Sequence, residues 1–150
     1  QYNLPAHCKP SKKAVKVHTE LKNDIAVLKL FAGISIKITL AVLNSDGLRA
    51  VVIETFGAGN ASTDEWFITA LKHTISKGII VYNVTQCDEG KVVQGMYETS
   101  SQLKRMGVVS GYDITFESAI AKLMYVLGKN LSVQKSKELL ETNLRGEISK

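Results

Sequence analysis

RAVVIETFGAGNASTDEWFITALKHTISKGIIVYNVT, residues 49 to 85, is the stretch on which the fold turns. It opens on RAVVIETF (49–56) and closes on GIIVYNVT (78–85), two short and nearly continuous apolar runs rich in Val and Ile. Strands read this way when helices cover both faces of a parallel sheet. Between the runs, Trp66, Phe67, Ala70, Leu71 and Ile75 recur at helical spacing and form one apolar face. Ser62 and Glu65 predict a capping box at the start of that helix, and Gly78 predicts the C′ position at its end. The stretch is a strand–helix–strand unit, the crossover that a parallel pair requires.

The same alternation extends in both directions. Upstream, IAVLKLF (25–31) is another short apolar run, followed by Gly33 and a helical stretch to about Asn44. Downstream, KVVQG (91–95) reads either as a short strand or as the exit from a loop. Residues 97 to 106 predict a short helix stopped by Gly107, and GVVSG predicts a further strand. Asp113 or Thr115 then caps a helix carrying Phe116, Ala119, Ile120, Leu123, Met124 and Leu127 on one face, and Ser132 starts a last helix running to about Leu144. The expected fold is α/β: an open, mostly parallel sheet of about four strands flanked by helices, a flavodoxin- or Rossmann-like three-layer sandwich.

Composition narrows the class. With 150 residues, 45% of them hydrophobic and 22% charged, the chain can bury the core of one domain. No apolar run approaches the roughly 20 residues that cross a bilayer, so no membrane partner is expected. Much of the net charge of +5 gathers at Lys9, Lys12, Lys13, Lys16 and Lys22, around His18. No aromatic side chain interrupts that run to stack on a base, so a solvated linker is expected and nucleic acid is not. Both prolines, Pro5 and Pro10, fall there too, and residues 1–24 read as the remnant of an interdomain linker, with the domain itself at 25–150. Cys8 and Cys87 lie far apart and outside any ligand spacing, which predicts two reduced thiols in a cytoplasmic protein and no metal or other cofactor.

Open α/β sheets bind ligands beyond the carboxyl ends of their strands, where FAGIS, FGAGNAS and VTQCDEG fall in this sequence. In FGAGNAS, Gly57 and Gly59 can adopt positive φ and expose N–H groups, and Ser62 would open a helix whose N-terminus favours an anion. The loop lacks the Lys-Ser/Thr of a phosphate loop and the third glycine of a dinucleotide fingerprint, so a tight turn needing no ligand fits it equally. Thr85, Gln86 and Cys87 can hydrogen-bond a small polar ligand. Glu54, at a strand end, is either an acid–base group or half of an ion pair. Cys87 has no base placed for it by the sequence, and Glu98 near a helix start can simply complement the dipole. No nucleophile–base set and no paired carboxylates emerge, so no catalytic residue is assigned.

The chain as a whole nevertheless resembles a known family. ETFGAGNAS, GIIVYNVTQCDEGKVVQGMYETSSQLKRMGVVSGYDIT, KLMYVLG and NLRGE are similar, in order, to the C-terminal domain of type I (cytoplasmic) L-asparaginases. That resemblance implies one half of a two-domain enzyme converting L-asparagine and water to L-aspartate and ammonia, with its nucleophile in an N-terminal domain. It implies a homodimer or a dimer of dimers, with Asn60 reaching a neighbouring protomer's active site to orient substrate, and Tyr97 and Glu98 near another contact between protomers. It also implies an effector site around Glu54, Thr85 and Cys87, although Glu54 stands where regulated members carry arginine, and a glutamate would repel an effector's carboxylate. The alternatives are a stand-alone small-molecule or anion-binding module, and the asparaginase-like component of a tRNA-dependent amidotransferase.

Overall fold

The structure, a computed structural model, describes residue 14, residues 17–95 and residues 98–149, without the side chains of Glu98 and Thr99. Its elements run β1 (Ile25–Lys29), α1 (Ile36–Leu43), β2 (Ala50–Thr55), α2 (Glu65–Ser76), β3 (Ile80–Thr85), α3 (Glu98–Met106), β4 (Val109–Ser110), α4 (Phe116–Gly128) and α5 (Val133–Glu141). The four strands form one sheet in the order β1-β2-β3-β4, and every pair is parallel.

A strictly sequential parallel order has a consequence for the layers. Successive crossovers of one hand put their helices on one face of the sheet. Accordingly Leu43 of α1, Phe67 and Leu71 of α2 and Leu103 of α3 share one apolar cluster with Val51, Ile53 and Val81. The opposite face, carrying Ala50, Val52, Ile80, Tyr82 and Val84, is covered by α4 and α5 through Ala119, Leu123, Val126, Leu127 and Leu140. Helices that follow the last strand thus close a core that the crossover helices leave open. β2 and β3 are buried on both sides, which is why their sequences read as unbroken apolar runs.

Local signals fare unevenly. Ser35, Thr115 and Ser132 cap α1, α4 and α5, each accepting from the backbone N–H three residues on. The expected capping box at Ser62 does not form: α2 starts at Glu65 behind Asp64, and the Ser62 hydroxyl donates instead to the Asp64 carboxylate at 2.7 Å. Gly78 takes the expected left-handed conformation with φ of 81°. Residues 91–95 are loop and not strand, because the N–H groups of Val92 and Val93 go to the Tyr112 and Ala58 carbonyls in separate elements. α5 ends at Glu141 and not near Leu144, since the Lys122 ammonium takes the Thr142 carbonyl at 2.6 Å and Thr142 turns extended.

Part of the expected linker is packed against the domain. The Lys22 N–H donates to the Met124 carbonyl at 3.1 Å, and His18 meets the Tyr125 ring edge-on at 5.2 Å. At the crossing point Gly128 lies so close that a Cβ there would stand 1.8 Å from the Glu20 carbonyl oxygen. Residues 17–24 therefore form a strap across α4; residues 1–13, 15 and 16, including Cys8 and most of the lysine run, lie outside the described residues.

Candidate functional site at the carboxyl ends of the strands

Two neighbouring features occupy the carboxyl edge of the sheet. The first is a cleft of about 470 Å³ whose lining includes Lys29, Glu54, Thr85, Cys87, Asp88, Asp113 and Glu117. It brings together Glu54, from the end of β2, with Thr85 and Cys87, from the end of β3 and the turn that follows it. Register explains the meeting: Lys29 pairs with Glu54 across β1 and β2, and Thr55 pairs with Thr85 across β2 and β3. Glu54 makes the ion pair weighed for it, 3.6 Å from the Lys29 ammonium, although Lys29 is mostly exposed and such a half-solvated pair is weak. Among the described residues, four carboxylates against one ammonium leave the cleft acidic.

Other side chains of the cleft are already engaged. Thr85 donates its hydroxyl proton to the Gly57 carbonyl at 2.6 Å and accepts from the Cys87 N–H at 3.1 Å. The Gln86 amide nitrogen is not offered to a ligand: it donates to the carbonyls of Leu30 (2.6 Å) and Glu54 (2.8 Å), tying the ends of three strands together. Asp113 accepts from the Ser149 N–H at 2.9 Å. Partial burial pushes its carboxyl up, but the Ser149 hydrogen bonds and the charge of Lys91 hold it below the usual range. Cys87 is exposed, and among the described residues no histidine lines the cleft to serve it as base.

The second feature is the loop Phe56–Asn60, which does not line the cleft. Gly57 and Gly59 have φ of 49° and 97°, as their sequence predicts. The loop folds on itself: the N–H groups of Gly59 and Asn60 both donate to the Phe56 carbonyl, and Phe56 N–H donates to the Asn60 carbonyl. The amide of Gly59 is thus committed, and Ser62 faces a carboxylate, so this loop has neither the free Gly59 donor nor the Ser62 helix start that an anion site would use. Gly59 is instead required by a close approach, since a Cβ would meet the Val92 side chain at 2.7 Å. Asn60 is half-buried at the end of the loop. Tyr97 lies outside the described residues, and Glu98 is placed only as the first residue of α3.

Sequence reasoning missed a buried polar pair beneath this loop. Thr55 and Asn83 are both fully buried, and the Thr55 hydroxyl donates to Asn83 Oδ1 at 2.6 Å. Asn83 Nδ2 donates in turn to the Gly59 carbonyl at 3.2 Å. The available signal was an amide inside an otherwise apolar strand, which must find partners there.

Comparison with known proteins places this arrangement. The family model for the glutaminase/asparaginase C-terminal domain matches residues 24–140. The chain belongs to that family. It is 38% identical over 139 residues to a 60 kDa lysophospholipase of Homo sapiens, a match covering 92% of this chain and 24% of that protein. It is 34% identical over 133 residues to L-asparaginase 1 of Escherichia coli (strain K12), covering 89% of this chain and 39% of that enzyme. A glutamyl-tRNA(Gln) amidotransferase component of Archaeoglobus fulgidus is 35% identical over 136 residues, covering 91% of the chain and 31% of that protein. The solved L-asparaginase I of Vibrio cholerae superimposes with a TM-score of 0.80 at 40% identity, over 85% of this chain and 38% of the enzyme. The domain thus spans between 24% and 39% of these curated relatives, which carry more than one activity. Among the described residues no group of His, Cys, Asp and Glu could hold a metal ion, and no helix is long and apolar enough to cross a membrane.

Proposed function

We propose that this chain is the C-terminal domain of a cytoplasmic L-asparaginase, hydrolysing L-asparagine to L-aspartate and ammonia together with an N-terminal domain that carries the nucleophile. In this reading the domain supplies oligomer contacts and presents Asn60 to the active site of a neighbouring protomer in a homodimer or dimer of dimers. The observation that carries it is the Phe56–Asn60 loop. Within this asparaginase-family domain, both backbone polar groups of Asn60 are tied to Phe56, so its amide side chain stands on a defined base at the carboxyl edge of the sheet. A positioned amide contributes orientation and leaves bond breaking to others. Tyr97 and Glu98 belong to the same proposed contact.

The cleft around Glu54, Thr85 and Cys87 is, in this reading, an effector site that has changed sign. A carboxylate at Glu54 repels the carboxylate of an amino-acid effector and could hold only its ammonium. Cooperative activation by asparagine is therefore not expected.

The test is ammonia release from L-asparagine and from L-glutamine by the full-length protein and its Asn60→Ala variant. Loss of asparagine turnover with an unchanged thermal unfolding curve supports the reading. Unchanged kinetics in the variant would remove the role of Asn60 in the neighbouring site. Inactivity of the unmodified protein on both substrates would shift the weight to a binding module or to the amidotransferase-like reading, which the 35% identity to the Archaeoglobus fulgidus protein supports.

A further inference from the structure

The Phe56–Asn60 loop is closed by its own hydrogen bonds, but those bonds do not fix its direction relative to the sheet. A turn carrying two glycines at positive φ has many orientations open to it. Its orientation is set from outside, by donors that all come from one later stretch of chain. The carbonyls of Gly57, Ala58 and Gly59 accept, in succession, from the Thr85 hydroxyl at 2.6 Å, the Val93 N–H at 3.0 Å and the Asn83 amide at 3.2 Å. Every carbonyl between Phe56 and Asn60 is therefore held by β3 or the loop that follows it.

The Asn83 contact is prepared in turn. An asparagine amide can face either way, and the wrong way would set Oδ1 against the Gly59 oxygen. The Gly59 carbonyl, which can only accept, selects the orientation in which Nδ2 meets it, and the Thr55 hydroxyl, 2.6 Å from Oδ1 and 3.1 Å from the Val84 carbonyl, supports that orientation from the other end. Both side chains are fully buried in a face otherwise made of Val51, Ile53 and Val81. Apolar residues there would pack without needing partners, so the pair's evident task is to grip the loop.

We infer that Thr85 and Asn83 are positioning residues for Asn60, holding the loop backbone in the single orientation from which its amide serves the neighbouring protomer. This rests on the proposed role of Asn60. Neither residue touches substrate; both act through the carbonyls of Gly57 and Gly59. Thr85 is also the link between the acidic cleft and the loop, because it lines the one and donates its hydroxyl to the other.

The experiment is a double-mutant comparison in the full-length protein, reading kcat and KM for L-asparagine alongside thermal unfolding. Thr85→Val keeps the shape of the side chain and removes its donor, whereas Thr85→Ser keeps the donor. Misplacement of a positioning group on the order of 1 Å costs up to about a hundredfold, so Thr85→Val should lose about tenfold to a hundredfold in kcat/KM and Thr85→Ser should stay near the parent. Joining Thr85→Val to Asn60→Ala should lose no more than Asn60→Ala alone, because the loop then has nothing to position. The paired substitution Thr55→Val with Asn83→Leu removes both buried donors together, leaving the Gly59 carbonyl ungripped, and should behave as Thr85→Val does. If Asn60→Ala is impaired but Thr85→Val is fully active, or if their losses multiply, the inference fails and the Asn60 role survives. Full activity in Asn60→Ala would instead remove both.

Discussion

Replacing Lys122 with methionine removes the side-chain cation paired with Glu147 beneath the C-terminal turn. The ammonium stands 2.8 Å from Glu147 Oε1 and 2.6 Å from the Thr142 carbonyl, with the side chains only 3% and 12% exposed. Burial draws Lys122 below its ordinary range against the pull of Glu147. Burial pushes the Glu147 carboxyl up, but Lys122 and the amides of Leu144 and Arg145 outweigh it and bring the carboxyl down to about 2 from 4.5. Stripping one partner from a buried pair costs about 3–5 kcal/mol; Glu147 keeps two amide donors, which places Lys122→Met near 3. For a domain of this size that corresponds to a fall in Tm of roughly 6–12 °C at neutral pH. The pH dependence carries its own sign. Because the folded carboxyl titrates below its ordinary value, its contribution is complete above about pH 5 and is lost as the pH falls towards about 2. The gap between parent and variant should therefore close over that window. Adding Glu147→Leu to Lys122→Met should recover much of the stability, since an apolar pair of similar volume replaces an isolated charge. Thermal and urea unfolding of the three proteins between pH 7 and pH 2 measure all of this. A Tm change below about 2 °C at neutral pH, or a gap that does not vary with pH, would refute the reasoning.

Gly128→Ala should force residues 17–24 away from α4, because the new Cβ meets the Glu20 backbone and cannot be accommodated by a side-chain rotation. Overpacking of this kind costs about 1–3 kcal/mol, and limited proteolysis should show new cleavage between Val17 and Asp24; an unaltered digest would show that the strap is not held there. The full-length protein should give a hyperbolic dependence of rate on asparagine concentration, and Glu54→Arg should make the curve sigmoidal or leave an asparagine-sensitive Tm. A sigmoidal curve in the parent would overturn the reading of Glu54. The 150-residue chain alone should release no ammonia from asparagine; activity scaling with its concentration through purification would overturn the half-enzyme proposal.

Much of this protein is written in local patterns. Residues 49–85 announce a strand, a helix and a strand because strands buried on both faces leave unbroken apolar runs, whereas a helix buried on one side leaves apolar residues at a spacing of roughly 3.6. The order of strands and helices, the caps at Thr115 and Ser132, and the left-handed glycines at 57, 59 and 78 follow from such short-range chemistry. The motif set carried the family as well. Other features needed the folded chain, for a common reason: they join residues whose separation in sequence is not encoded by either. Parallel register alone puts Glu54 beside Lys29 and gathers Thr85 and Cys87 into the same cleft. The Ser62–Glu65 spacing suggested a cap, but the nearby Asp64 carboxylate captured the hydroxyl. Asn83 looked like an interruption in an apolar run until Thr55 and Gly59 were brought to its two ends. NLRGE is legible as a motif, yet its Glu147 acquires its meaning from Lys122 on another helix. A sequence states which side chains are available to bond; which of them are already spent on the backbone, and which are left facing a ligand or a neighbour, is decided by tertiary contact, because buried polar groups must be satisfied wherever the chain happens to place their partners.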